Sequence, residues 1–325
     1  MGLWCGLAAA GAPACPGPSL ALQVVAPGVM WLPGLPGEPD AGNHGRTRNQ
    51  WLVRQGRQVW LVGAGPSPAQ ARALDCQLQT RWGWTVTDVW VPWPQAEQAL
   101  GLQGWQRRWR GTPAARLWAH AEVRERMARQ CPHCEATLRQ RLGPAQADLG
   151  EAPIVLPEVA VVGESGRWGP WRWRRFYRAE GLPVVALHLW GTGLVAAPGL
   201  LWHDGGPPDL RDAQLQTWQA SVQALLAWRQ EADRDGTRVA PVARWLPEQG
   251  PWADDALLAL HLHYGRWLGE AVRAQQAAGR LETDEPPAPP PPLVAWGGHR
   301  RAGLNWQRVW QALEPESFSS GASRP

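Results

Sequence analysis

Metal ligation and nucleophilic catalysis both need histidine, cysteine or carboxylate side chains brought together, and this 325-residue chain offers 8 histidines and 5 cysteines. Cys131-Pro132-His133-Cys134 places two thiols close in sequence. One C-x-x-C supplies two thiolates where a structural zinc ion takes four ligands, and His133 between them could hardly share the ion. A thioredoxin-like site would follow a strand, whereas residues 121–129 read as helix, so the expectation is a local Cys131–Cys134 disulfide. His261 and His263 lie two apart on a helix and face different ways, a poor metal pair. His120 stands beside a tryptophan at a helix start, where an imidazole satisfies backbone groups. His203-Asp204 is the best remaining pair for acid–base chemistry, although Gly205-Gly206-Pro207-Pro208 behind it marks a surface loop. No G-x-S-x-G elbow occurs, and a chain without lysine cannot form the phosphate-binding G-x-x-x-x-G-K-[ST] loop.

Short apolar runs alternating with longer helical patterns must position these groups. Residues 21–26 and 29–32 read as strands, and 51–54 with 58–62 as a hairpin around Gln55-Gly56. The stretch from Gly63 to Pro68 then opens an amphipathic helix through 79. A β-branched strand over 85–91 runs into a polar loop and a helix over 96–105. Residues 116–118 form a strand, followed by a helix from 119. Further strands are expected at 154–156, 171–177, 184–190 and 194–197, and helices at 212–231, 253–278 and 305–313. Strands alternating with helices in two successive halves imply an α/β protein of the αββα type, two packed mixed sheets flanked by helices.

Residues 1–14 are small and apolar and end in Ala12-Pro13-Ala14 before Cys15. They look like the apolar region and cleavage site of an export signal that lacks its basic start; a disordered tail is the other reading. A lipid anchor on Cys15 would want a leucine-led motif before it, and none is there. The expected organisation is one domain over 15–283, a proline-rich linker over 284–295, a C-terminal helix over 296–318 packing back on the domain, and a tail over 319–325. Periplasmic or secreted location is the expectation. No run of about 18 apolar residues suggests a membrane span.

All 32 basic residues are arginine, isoleucine occurs once, at Ile154, and the asparagines are Asn43, Asn49 and Asn305. That scarcity of AT-rich codons points to a GC-rich genome rather than to arginine-specific recognition. The net charge of +4 is spread over the chain apart from Arg172, Arg174, Arg175 and Arg178, and no nucleic-acid-binding module is recognisable, so nucleic acid is not the expected partner. Against 2 tyrosines and 2 phenylalanines stand 24 tryptophans. They either fill core positions or build an exposed surface for sugars, quinones or a partner protein.

Val25-Ala26-Pro27-Gly28-Val29, the hairpin into Val62-Gly63-Ala64-Gly65-Pro66-Ser67 and the strand Val86-Thr87-Asp88-Val89-Trp90-Val91 resemble the opening of the metallo-β-lactamase superfamily. Pro208-Asp209-Leu210-Arg211-Asp212 and Asn305-Trp306-Gln307-Arg308-Val309-Trp310, with Glu314 and Phe318, extend the likeness over residues 20–318. Together they look like the branch of zinc metallohydrolases associated with quinoprotein systems. The resemblance implies zinc as cofactor, held by an H-x-H-x-D-H motif after that strand. Aligned so, Trp93 and Gln95 replace the first two histidines, Glu97 the aspartate and Gln98 the last histidine. Gly63 stands where an aspartate of D-x-G would be, and Gly199, in Ala197-Pro198-Gly199, where the bridging aspartate would be. Residues 239–242 take the place of a loop bearing the last histidine, and 178–182 contain none. Indole does not ligate zinc and carboxamide does so weakly.

Two functions follow as expectations. One is a non-catalytic homologue with a degenerate zinc site and no cofactor. It would be an exported binding or accessory protein for an unknown small molecule or protein, linked to a quinoprotein dehydrogenase system. The other is a hydrolase with an altered site, Glu97 acting as general base and His203 or Asp204 as its partner. In the first, Trp93 plugs the former metal hole and Gln95 and Gln98 hydrogen-bond to backbone around it.

Overall fold

The structure, a computed structural model, describes residues 15–17, 19–106, 113–234 and 244–314. The signal-like segment 1–14, residues 239–242 and the tail with Phe318 lie outside them. Among the described residues, twelve strands form two sheets. The first has seven, in the order β1 (Gln23–Ala26), β2 (Val29–Leu32), β3 (Gln50–Gln55), β4 (Gln58–Val62), β5 (Asp88–Val91), β6 (Arg116–His120) and β7 (Val159–Val161). It is antiparallel as far as β4 and parallel from β4 to β7. The second has five, ordered β12 (Arg244–Leu246), β11 (Leu194–Ala196), β10 (Leu182–Leu189), β9 (Trp171–Ala179) and β8 (Ser165–Trp168), with only β11 and β12 parallel.

The sheets pack face to face because β10 is buried along its whole length and alternates between two cores. Val185, Leu187 and Leu189 join the cluster between the sheets, whereas Val184 and Ala186 join a second cluster on the helix side. That second cluster is closed by α5 (Leu215–Arg234), α6 (Asp255–Ala277) and α7 (Arg300–Leu313). Over the first sheet lie α1 (Pro68–Trp82), α2 (Ala96–Ala99), α3 (Leu102–Gln106) and α4 (Ala121–Leu142). Most of the tryptophans are buried, and Trp190 and Trp252 are among the exposed apolar residues.

Local signals set the element ends. Ser67 caps α1 by accepting from the Gln70 N–H at 3.2 Å, and Gly83 ends it in the left-handed conformation. The expected helix over 96–105 breaks in two at Leu100-Gly101, where Gly101 lies against the Ala64 carbonyl with no room for a Cβ. The expected strand over 154–156 is absent. Pro153 and Pro157 bracket that run, its apolar side chains pack on the core, and Val159–Val161 pairs with β6 instead. The final helix, expected over 305–313 within the C-terminal segment 296–318, runs from Arg300 to Leu313, with His299 as its cap. Leu293 and Trp296, around the proline-rich stretch, are buried in the helix-side core.

The expected Cys131–Cys134 bridge is also corrected. Both thiols are free on α4: Cys131 is buried in the core that surrounds the first sheet, while Cys134 packs beside Leu138 and Leu142. Burial pushes the Cys131 thiol up to about 12, so it is no nucleophile at neutral pH. The bridge present joins Cys15 to Cys76 on α1.

Candidate functional site

Of the expected site residues, Gly63, Trp93, Gln98 and Gly199 gather beyond the carboxyl ends of β4, β5 and β11, beside the loop that follows β12. Beyond β5, the chain at Pro92 is held by the Val185 N–H at 2.8 Å, which fixes the next residue, Trp93, against the second sheet. Ala64, just beyond β4, donates to the Gln98 carbonyl at 2.8 Å, and Leu201, after β11, accepts from the Glu248 N–H at 2.8 Å. Two asparagines clamp the loops. Asn49 holds Pro247 and Gly250 carbonyls at 2.9 and 2.8 Å. Asn305 holds the Pro208 carbonyl at 2.8 Å and accepts from the Leu210 N–H at 3.0 Å.

At the centre lies Glu248, wholly buried and not foreseen from the sequence. One carboxylate oxygen accepts from Trp93 Nε1 at 3.1 Å and from the Gly199 N–H at 2.9 Å. The other accepts from Gln98 Nε2 at 3.3 Å and stands 3.2 Å from Arg48 Nε. Arg48 is itself buried, 3.7 Å from Glu97 and donating to Gln249 at 3.1 Å. Below Trp93 lies Arg178, its guanidinium carbon 4.8 Å from the Trp93 ring centre and 5.0 Å from that of Trp202. Arg178 donates to the carbonyls of Gly199 and Asp209 and to Asp212.

Burial raises the Glu248 carboxyl above the usual range, and the Arg48 charge only partly offsets this. Burial also opposes the charge on Asp209, but hydrogen bonds and charge from Arg211, with Arg178 and Arg48 nearby, hold that carboxyl well below the usual range.

Zinc does not fit this donor set. Three N–H groups and a guanidinium engage both oxygens of Glu248, and Arg48 and Arg178 are already the cations of the pocket. The space is filled as well. A Cβ on Gly63 would collide with Gln98 Oε1, and one on Gly199 would meet Val184 at 2.8 Å and the Trp93 ring at 3.1 Å. Among the described residues no three His, Cys, Asp or Glu side chains are grouped to hold a metal ion.

The remaining expected residues are dispersed. Gln95 is half-buried and lines a hollow of about 280 Å³ at the mouth, with Trp93, Glu97, His133, Cys134 and Asp212. His203 is exposed against the Pro251 carbonyl, and Asp204 is paired with Arg301. Glu97 and the His203-Asp204 pair line different hollows, so the acid–base partnership posed for them is not assembled. Gln98 is bound to Glu248 rather than to backbone, which corrects that expectation. His120 caps α4 through the Glu122 N–H and holds the Gly163 carbonyl. A sequence signal for Glu248 did exist: it is a lone charge in the run Trp245-Leu246-Pro247-Glu248-Gln249-Gly250-Pro251-Trp252.

No protein-family model and no curated protein matches the sequence. Solved structures do match the fold. The metallo-β-lactamase FIM-1 from Pseudomonas aeruginosa, in a mono-zinc form, superposes with a TM-score of 0.59 at 13% identity, covering 77% of this chain and 96% of that one. A metallo-β-lactamase from Hirschia baltica gives 0.56 at 10% identity, over 76% and 97%. One from Pontibacter korlensis gives 0.54 at 15% identity, over 76% and 99%. The architecture is that of the metallo-β-lactamase fold.

Proposed function

We propose that this chain is a non-catalytic, metal-free protein on the metallo-β-lactamase fold, exported and acting as a binding or accessory protein. The observation that carries the reading is Glu248, both oxygens taken by Trp93, Gly199, Gln98 and Arg48 where a metal would need open donors. A zinc site supplies three or four N, S or O ligands, and without them neither a zinc-bound hydroxide nor Lewis-acid polarisation is available. The mouth hollow of about 280 Å³ lies near the lower limit of about 300 Å³ for small-molecule sites, which favours a small ligand or a partner's side chain.

Export is supported by the Cys15–Cys76 bridge, since such bonds persist in oxidising compartments. The same bridge occupies the thiol that a lipid anchor would use. No described helix is long and apolar enough to cross a membrane. The link to quinoprotein systems is proposed on the sequence resemblance alone; two of the segments that carry it meet where Asn305 binds the Pro208–Leu210 loop. Elemental analysis of protein purified without chelator tests the reading. The expected result is no stoichiometric metal, and about one or two zinc ions per chain, as in a loaded site of this kind, would overturn it.

A further inference from the structure

We propose that Arg48 is the resident cation of the site, its guanidinium standing in charge for the zinc that the fold's metal-dependent proteins hold. The inference rests on the metal-free reading above and adds what replaces the metal. Two carboxylates, Glu97 and Glu248, are buried side by side in the pocket. Like charges so placed repel, and a desolvated carboxylate without a counter-ion is costly. A metal ion would answer both demands, and here one guanidinium does, with Nε 3.2 Å from Glu248 and Nη2 3.7 Å from Glu97. Its remaining arm is fixed by the Gln249 carboxamide at 3.1 Å.

The other buried charges are committed elsewhere. The two terminal nitrogens of Arg178 go to two main-chain carbonyls and Asp212 while the guanidinium supports the Trp93 ring, and none of these bonds reaches Glu248. Asp209 takes both carboxylate oxygens to Arg211. Arg48 is therefore the cation that meets Glu248, and the fork of a guanidinium suits two acceptors at once. It enters from the loop just before β3, a region that carries none of the expected zinc ligands.

A double-mutant cycle tests this, with unfolding followed by tryptophan fluorescence in chelator-treated buffer. Arg48→Met keeps much of the volume and removes the charge, and should lower Tm by on the order of 10 °C. Adding Glu248→Gln removes the stranded carboxylate and should recover at least half of that loss. If Arg48→Met does not fold, folding of the double variant carries the same support. A double variant no more stable than the sum of its single losses, or one that also fails to fold, overturns the proposal and leaves Arg48 as packing. Failure of the metal-free reading would show separately, as a Tm of the wild-type protein that drops on chelation.

Discussion

Trp90 lies between the sheets against Trp168 and Trp173, ring centres 5.2 and 5.9 Å apart, and its indole N–H has no hydrogen-bond partner among the described residues. Three residues on, Trp93 is buried as deeply, but its N–H is bound to Glu248 and its face rests on Arg178. The first cluster is held by apolar area and shape, which tolerate volume-conserving change. The second is a polar network gathered on one buried carboxylate, which three N–H donors and a guanidinium share, so removing that carboxylate strands the others. The strand supplies its side chains to the dry core, and the loop beyond its end supplies the ion-pair site.

The largest effect should follow from breaking the network at its centre. Glu248→Ala leaves Trp93 Nε1, Gln98 Nε2 and the Gly199 N–H without an acceptor and Arg48 with Glu97 alone, and should cost about 3–5 kcal/mol in urea unfolding. A loss below about 1 kcal/mol would mean the pocket is wet and the network weak.

The two tryptophans sharpen the contrast. Trp93→Ala should open a cavity and cost about 3–5 kcal/mol. Trp93→Phe and Trp90→Phe remove the same volume, but the first also loses the bond to Glu248, so it should cost about 1–2 kcal/mol more than the second. Equal losses at 90 and 93 would erase the distinction drawn between the clusters.

Acid should act on the apolar helix-side core and on the Glu248 network with opposite sign. In the helix-side core His261 accepts from the Trp202 N–H and packs between Trp218 and Trp296; burial brings its pKa down to about 3. The unfolded chain takes up that proton near 6.5, so stability falls as pH drops from about 6.5 towards 3. Between pH 7 and 5 the loss from this group should be about 2 kcal/mol. Glu248, raised by burial, binds its proton more readily folded than unfolded, so its contribution is present below its unfolded pKa and lost as pH rises through the folded one. His261→Gln should therefore flatten the acid side of the stability curve, and Glu248→Gln should steepen it.

How far the sequence reveals this depends on the distance over which each feature is determined. β2 and β4 match their expected limits because their apolar runs are bounded by local turns. Neither β8, Ser165–Trp168, nor β12, Arg244–Leu246, was expected. The first is not apolar and the second is three residues long, so their neighbours across the sheet define them. In the site, Trp93 and Gln98 were legible because they follow a strand that is readable by itself. Glu248 was not, since its partners lie 155 and 150 residues away. The three asparagines carry a similar lesson: each one's side-chain amide clamps a loop, a role that chain-wide codon bias does not reveal.

The smallest effect, on zinc binding rather than on stability, should come from the substitution that looks most like a repair. Placing histidine at positions 93, 95 and 98 supplies the imidazoles of the H-x-H-x-D-H motif, and the sequence resemblance alone would forecast zinc binding. The surrounding charge forecasts none. Arg48 and Arg178 would still face any incoming dication, Glu248 would still answer the Gly199 N–H and Arg48, and positions 63 and 199 would still contribute no ligand. Replacing Trp93 also removes the ring that separates Arg178 from the vacated space, leaving that guanidinium to face it. Calorimetric titration of the Trp93→His/Gln95→His/Gln98→His chain with zinc should show no binding tighter than the wild type. Micromolar or tighter binding by the triple variant would mean that Arg48 yields its place readily, and the polar cluster would then be an adaptable site rather than a committed ion-pair network.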